Sequence, residues 1–232
     1  MIDLTFVVQD VAAEQFSVTP RLTARIGIAT GSTEPIHAIA LQCQVRIEPL
    51  RRRYSDVEAV GLADLFGPRE RWADTQRTFL WQHCTAMVQG FTGTTETSMP
   101  LECTYDFEVT AAKYLHALRD GTIPLLFLFS GTVFTPGERG FSVQRVSWEC
   151  EAKYDMPVSV WQDLMRLHYP NAGWVRLGHD TVTALAAYRS AHGMLDFEDA
   201  VSALLAEASE GRSGATRDLS QRASSPRAEE LR

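Results

Sequence analysis

The sequence predicts an α+β protein: an antiparallel β-sandwich, immunoglobulin-like in architecture, with inserted short helices and a C-terminal helical appendage. Three observations predict it. Segments within the first 50 residues alternate apolar and polar side chains. Period-two alternation dries one face of a sheet and leaves the other in water. Turn signals such as Thr30-Gly-Ser-Thr-Glu-Pro35 and Pro136-Gly137 separate these segments. Beyond Met156 the apolar spacing changes from two to about 3.6, the period of a helix. A parallel nucleotide-binding sheet, dry on both faces, would not alternate this way. The expected organisation is a sandwich domain over 1–156, a helical appendage packed on it over 157–209, and a disordered tail over 210–232.

Each element has its own signal. Leu4, Phe6 and Val8 alternate in a first strand, and Leu22, Ala24, Ile26 and Ile28 in a second. Leu41, Cys43, Val45 and Ile47 define a third, ended by Pro49 and Arg51-Arg52-Arg53-Tyr54. Ser55 and Glu58 form a capping box for a helix over 56–66, whose apolar side is read as Val57, Val60, Leu62 and Leu65. Gly67-Pro68 stops it. Thr78 to Gln89 reads as a strand, Gly90 to Ser98 as a loop, and Leu101, Cys103 and Tyr105 as an edge-like strand. A helix over 107–119, capped by Asp106, shows Ala111, Leu115 and Leu118 on one side. Pro124 to Phe129 is a dry run suited to a central strand buried on both faces. Val146, Trp148, Cys150, Ala152 and Tyr154 share one face of the next strand. Helices are expected from Pro157 to His168, over 181–191 with Asp180 as cap, and from Asp196 to near Ala208.

Composition narrows the function classes. The chain carries −7, and residues 1–209 hold 17 basic against 25 acidic side chains, a balance of −8. Such a domain has no electrostatic footprint for phosphate backbones, so nucleic acid is excluded as a partner class. No apolar run reaches the roughly 18 residues of a membrane span. The first residues lack a basic n-region and an apolar h-region, and the expected location is cytoplasmic. The four cysteines, Cys43, Cys84, Cys103 and Cys150, are scattered without a C-x-x-C. They read as reduced, buried small hydrophobes, with Cys43 and Cys103 in the sandwich core. From Glu210 onward the only large apolar residues are Leu219 and Leu231, too few to offset ordering entropy.

No motif carries catalysis. His83 and Cys84 are neighbours in a strand and point to opposite faces, so they cannot chelate one ion together. Phe129-Ser130-Gly131 lacks the leading G-x of a nucleophile elbow. Gly90-Phe-Thr-Gly93 lacks the Lys of a phosphate loop. Glu149 and Glu151 read as a solvated strand face. The densest basic run is Arg51, Arg52, Arg53 and Tyr54, followed by Trp72 and Trp81. Arg and Trp together are the usual composition of an interface hot spot, so these six residues are the expected interaction patch. Self-pairing of the arginines with the acidic surface is the competing reading.

Five stretches carry a resemblance: Arg46 to Tyr54, Cys103 to Val109, Ala111 to Leu118, Ile123 to Phe134, and Gly173 to Leu177. In these the chain resembles an uncharacterised, actinobacterial-type family (DUF6084-like), whose members are often encoded beside high-affinity nickel–iron hydrogenases. The resemblance implies a hydrogenase-associated accessory protein, with hydrogenase subunits or maturation factors as protein partners. It carries no catalytic residue, metal ligand or cofactor onto this chain. The expected function is therefore a non-catalytic accessory or interaction protein. The alternatives are a small-molecule enzyme with a pocket between sandwich and helices, and a metallochaperone using Cys84 with His83 or His116.

Overall fold

Alternation becomes two antiparallel sheets in the computed structural model, which describes residues 3–103, 109–137, 140–170 and 177–209. The three-stranded sheet has the order β1 (Leu4–Ala13), β2 (Arg21–Thr30), β5 (Thr94–Glu102). The five-stranded sheet runs β4 (Phe79–Phe91), β3 (Ile36–Ile47), β6 (Thr122–Gly137), β7 (Gly140–Arg145), with β8 (Glu151–Pro157) also paired to β6. The registers keep apolar residues opposite one another: Phe6 faces Ile28, Leu22 faces Leu101, and Cys43 lies between Cys84 and Phe129. Their dry faces meet in one core. Phe6 of the first sheet stacks on Phe129 of the second, with ring centroids 4.3 Å apart. Leu22, Ile26, Met99, Ile39, Val45 and Phe127 in this core are fully buried. Each such side chain contributes roughly 1.5–3 kcal/mol. Gln82 is also buried there, and its Oε1 accepts from the Glu102 amide at 3.0 Å, tying one sheet to the other.

Helices fill the connections. The capping box is present: Glu58 N–H donates to Ser55 Oγ while the Glu58 carboxylate accepts from Ser55 N–H, starting α1 (Asp56–Phe66). Its buried side differs from the expectation. Val57 and Val60 are exposed, and Glu58, Leu62 and Phe66 are buried. The reason is electrostatic, because Arg52 draws the Glu58 carboxylate inward. The short α2 (Trp72–Thr75) follows, and α3 (Val109–Ala117) presents the buried Ala111, Tyr114 and Leu115. Asp106, the expected cap of α3, lies outside the described residues.

Two compact units divide the chain at Ala172/Gly173. The first holds both sheets together with α4 (Val158–His168), whose Val158, Trp161 and Leu164 belong to the hydrophobic core. The helical segment read from residue 157 is thus split between the units. The second unit contains α5 (His179–Ala191) and α6 (197–209). Gly178, not Asp180, is the N-cap of α5, and Asp180 sits in its first turn. Asp196 caps α6 through an Asp199 N–H bond of 2.9 Å. Tyr188 reaches from α5 to Glu207 of α6 at 3.0 Å. The expected disorder of 210–232 lies outside the described residues. Among the described residues no helix is long and apolar enough to cross a membrane.

The dry run of Pro124 to Phe129 is central, as its composition implies, but it is not buried on both faces. Ile123, Leu125, Phe127 and Phe129 are buried, while Leu126 and Leu128 on the outer face are half-buried. The N-terminal half of β6 pairs with β8 as far as Leu128, and the C-terminal half pairs with β7 from Thr132. Gly131 lies between these two pairings with φ at +144°, and a Cβ there would sit 2.2 Å from the Ala40 carbonyl oxygen. No side chain fits without moving β3. Gly131→Ala should therefore cost about 3 kcal/mol, from backbone strain and the clash together. Urea unfolding of the purified variant checks this, and an unchanged midpoint would show that β6 can shift away.

Candidate interaction site

The six residues expected to form a patch do not share one surface. Arg51 is partly exposed and spans Glu48 at 2.9 Å and Asp155 at 3.2 Å. Surface pairs of this kind are worth about 1 kcal/mol at most. Arg53 is exposed and makes no side-chain ion pair among the described residues. Arg52 turns inward. Its side chain is 7% exposed and pairs with Glu58 at 2.8 Å, while further N–H groups reach the carbonyls of Arg53, Asp120 and Thr122 at 3.2 Å each. Its guanidinium also lies 4.9 Å from the Tyr54 ring centroid.

Tyr54 and Trp72 are interior too. Tyr54 Oη donates to the Pro49 carbonyl at 2.8 Å, so the 2.8 Å contact between the two tyrosines requires the Tyr114 hydroxyl to donate. Burial pushes the Tyr114 phenol up to about 12. Trp72 packs edge-on against Tyr54 and Phe66 and donates its Nε1–H to the Gly67 carbonyl at 2.9 Å. Trp81 is buried at the register shift between β3 and β4. Arg52, Tyr54 and Trp72 thus form a structural hub. Aromatic residues beside arginines are as suited to a buried cluster as to an interface, and composition does not distinguish them.

Glu58 is the electrostatic centre of that hub. Burial pushes its carboxyl pKa up. The Arg119 and Ser55 amides, the Arg52 charge and the Ser55 hydroxyl together outweigh burial, so the net shift is downward. Burying a charge is tolerated when it is both paired and hydrogen-bonded.

A different surface carries exposed apolar groups. Val146 N–H binds the Gly131 carbonyl at 3.0 Å, and Phe129 N–H binds the Cys150 carbonyl at 2.9 Å. Between these anchors residues 147–149 leave the sheet, closed by a Cys150 N–H bond to the Ser147 carbonyl at 3.2 Å. Trp148, expected to share a strand face with Val146 and Cys150, instead tops this loop at 87% exposure. The cause is the change of partner strand along β6, which a reading of alternation does not register. Beneath the loop, on the sheet face away from the core, lies a trough of about 770 Å³ with Ala40, Gly131 and Thr132 among its lining residues. Gln42, Ser130, Arg145 and Glu149 also line it, and these four side chains make no hydrogen bond among the described residues. Among the described residues strand β7 is the terminal strand of its sheet, and its Phe141 and Val143 are about 60% exposed. A free strand edge with exposed apolar side chains is a template for pairing with another chain.

The remaining motifs stay apart. His83 is exposed and Cys84 is buried, on opposite faces as their spacing requires. His116 packs edge-on to Trp161 at 5.4 Å. Among the described residues no three His, Cys, Asp or Glu side chains are grouped to hold a metal ion. Cys43 and Cys103 are both buried, and burial pushes the Cys103 thiol up to about 12.

Comparison with known proteins gives a family and distant structural likenesses. A family of unknown function, DUF6084, matches residues 1–213. No curated protein matches the chain. A β-glucosidase from Kluyveromyces marxianus is similar over 67% of this chain and 15% of its own, at 10% identity and a TM-score of 0.23. A putative ApaA protein from Bordetella pertussis is similar over 67% of this chain and 95% of its own, at 12% identity and a TM-score of 0.25. A β-glucosidase 3B from Thermotoga neapolitana is similar over 66% of this chain and 17% of its own, at 8% identity and a TM-score of 0.24. The chain therefore spans less than a fifth of either glucosidase.

The hub predicts a pH dependence. Glu58 has its pKa lowered on folding, so its contribution to stability is complete above the unfolded value near ~4.3. That contribution is lost as pH falls from there through the lower folded value. Arg52→Ala leaves a buried carboxylate unpaired and should cost about 3–5 kcal/mol at neutral pH. Glu58→Gln should flatten the loss of stability below about pH 4.3. Urea unfolding across pH 3–7 measures both effects. A variant that keeps the wild-type acid slope would show that Glu58 is not the group responsible.

Proposed function

Starting from the fact that the chain belongs to DUF6084, a family of unknown function, we propose that it is a non-catalytic accessory protein that binds a protein partner. In this reading the partner is a subunit or maturation factor of a nickel–iron hydrogenase, and the protein acts in the cytoplasm. The observation that carries the binding role is the run Phe141, Val143 and Trp148. These large apolar side chains lie within eight residues of chain, are each more than half exposed, and are not used by the core. A solvent-facing tryptophan above a floor of small residues is a knob that a partner surface can enclose, as interface hot spots require. The unpaired edge of β7 offers backbone groups for an added strand.

Two further points support binding over chemistry. Of the residues lining the trough, only Arg145 and Glu149 ionise, and both are exposed. An active site would converge buried polar groups of matched pKa on one position. Arg53 is the one member of the Arg51–Tyr54 run that is exposed without an ion pair among the described residues, and so the one available to an acidic partner. The choice of a hydrogenase as partner is supported by the gene neighbourhood that the family resemblance implies.

Affinity purification of the tagged protein from its native host, followed by mass spectrometry, tests the proposal. Wild-type protein should recover hydrogenase subunits or maturation factors. Trp148→Ala should lower that recovery about tenfold or more, the range of a hot-spot tryptophan, while the melting temperature stays within about a degree because the side chain is exposed. Equal recovery by Trp148→Ala would remove the trough from the interface. Absence of any hydrogenase component from the wild-type sample would remove the partner assignment.

A further inference from the structure

Four cysteines are present, and two of them face each other. Cys43 of β3 and Cys84 of β4 are direct cross-strand partners in an antiparallel register. Both side chains lie on the core face, at 2% and 6% exposure. Directly opposed residues in antiparallel strands have Cα atoms about 4.5 or 5.5 Å apart, according to whether the pair exchanges backbone bonds. Both spacings fall inside the window of about 4.4–6.8 Å that a disulfide spans. The Cys84 thiol already lies over its partner residue, 3.7 Å from the Cys43 carbonyl oxygen. Cys103 and Cys150 lie just outside β5 and β8, and among the described residues no cysteine stands opposite either in a strand register.

We propose that Cys43 and Cys84 are a modification site: a reversible cross-strand disulfide, formed by a small peroxide, that staples β4 to the central strand β3. The chemistry balances with hydrogen peroxide as oxidant. One thiolate attacks the peroxide O–O bond, becomes a sulfenic acid and releases one water after proton transfer. The facing thiol then attacks the sulfenic sulfur, the S–S bond forms, and a second water leaves. Two thiols and one peroxide yield one disulfide and two waters. A thiol reductant reverses the step by exchange.

The local environment favours this pair. The Cys43 thiol interacts with Cys84 and lowers its pKa, while Cys43 itself is raised. Cys84 is therefore the readier nucleophile towards peroxide, and Cys43 gives up its proton, to the departing hydroxide, as it attacks the sulfenic sulfur. At 2% and 6% exposure the folded pair is closed to bulky disulfides such as glutathione, so access for oxidant and reductant depends on local opening. β4 is a terminal strand of its sheet, so it can open locally without breaking the central pairing of β3 with β6. The chain between the two cysteines contains α1, α2 and Arg52. A bond between residues 43 and 84 would close that whole insertion into a loop and restrict the unfolded chain.

The test uses the full reduced chain. It is treated with hydrogen peroxide, unfolded in the presence of an alkylating agent, and examined by intact mass and peptide mapping. The expected result is loss of two of the four free thiols, an intact mass lower than that of the equally alkylated reduced control by two alkyl groups, and a cross-link mapping to Cys43 and Cys84. The oxidised protein should melt several degrees higher, and dithiothreitol should restore both mass and melting point. Cys43→Ala and Cys84→Ala should each abolish the internal cross-link, whereas Cys103→Ala should keep it. Should an alanine variant fail to fold, the wild-type map decides alone. Four alkylated thiols after treatment, a cross-link through Cys103 or Cys150, or a disulfide between two chains would overturn the proposal. A cross-linked form that melts no higher than the reduced one would overturn the stapling role.

Discussion

The buried pair of Arg52 and Glu58 is the constraint around which the helical insertion is organised. The Glu58 carboxylate accepts from the Ser55 amide that begins α1 and from the Arg119 amide just beyond α3, both at 2.9 Å. Arg52 accepts no compromise in this position, since its N–H groups also hold the carbonyls of Asp120 and Thr122 at the entry to β6. One ion pair thereby joins the end of β3, the start of α1, the end of α3 and the start of β6. The aromatic cluster of Tyr54, Phe66, Trp72 and Tyr114 packs beside it, with edge-on rings and a tyrosine–tyrosine hydrogen bond. Desolvating two charges is costly, and the arrangement is stable because nearly every lone pair and N–H of the pair is used.

The second organising feature is the division of β6 between two partners on the same edge. A strand of 16 residues is longer than either β7 or β8, so both pair with it end to end. The chain crossing from one to the other has to leave the sheet, and residues 147–149 do so. Gly131 permits the close approach of β3 opposite this break. The exposed tryptophan and the trough below it are therefore consequences of sheet topology, built on the rigid central strands β3 and β6. Under the proposed binding role, a feature placed on such strands needs little ordering when a partner arrives.

The charge balance fits this division of labour. Acidic groups outnumber basic ones over residues 1–209, and some of the arginines are engaged within the chain. Arg21, Arg25, Arg51, Arg52, Arg69 and Arg166 all pair with carboxylates of this chain. The trough adds the exposed Trp148 and the side chains of Gln42, Ser130, Arg145 and Glu149, which make no hydrogen bond among the described residues.

Much of the fold was legible from the sequence because its signals are local. Alternation located β1, β2 and β3, the Ser55/Glu58 capping box located the start of α1 at Asp56, and the apolar spacing after Pro157 located α4. Each depends on residues within a few positions of one another, where backbone geometry alone relates side chains. Burial of Cys43 and Cys103 followed from the same alternation. Tertiary structure decided what depends on distant partners. The buried side of α1 turned on Arg52, which brings Glu58 into the core and leaves Val57 and Val60 in water. The Arg51–Tyr54 run was divided, with Arg52 and Tyr54 inside and Arg53 outside, by the carbonyls of Asp120 and Thr122 nearly 70 residues away. Trp148 was displaced from a strand face to a loop tip because β6 takes two neighbours along one edge. The opposition of Cys43 and Cys84 required the register of β3 on β4. Local spacing determines which elements form, but the pairing of elements determines which side chains meet, and the candidate surface arises from that pairing.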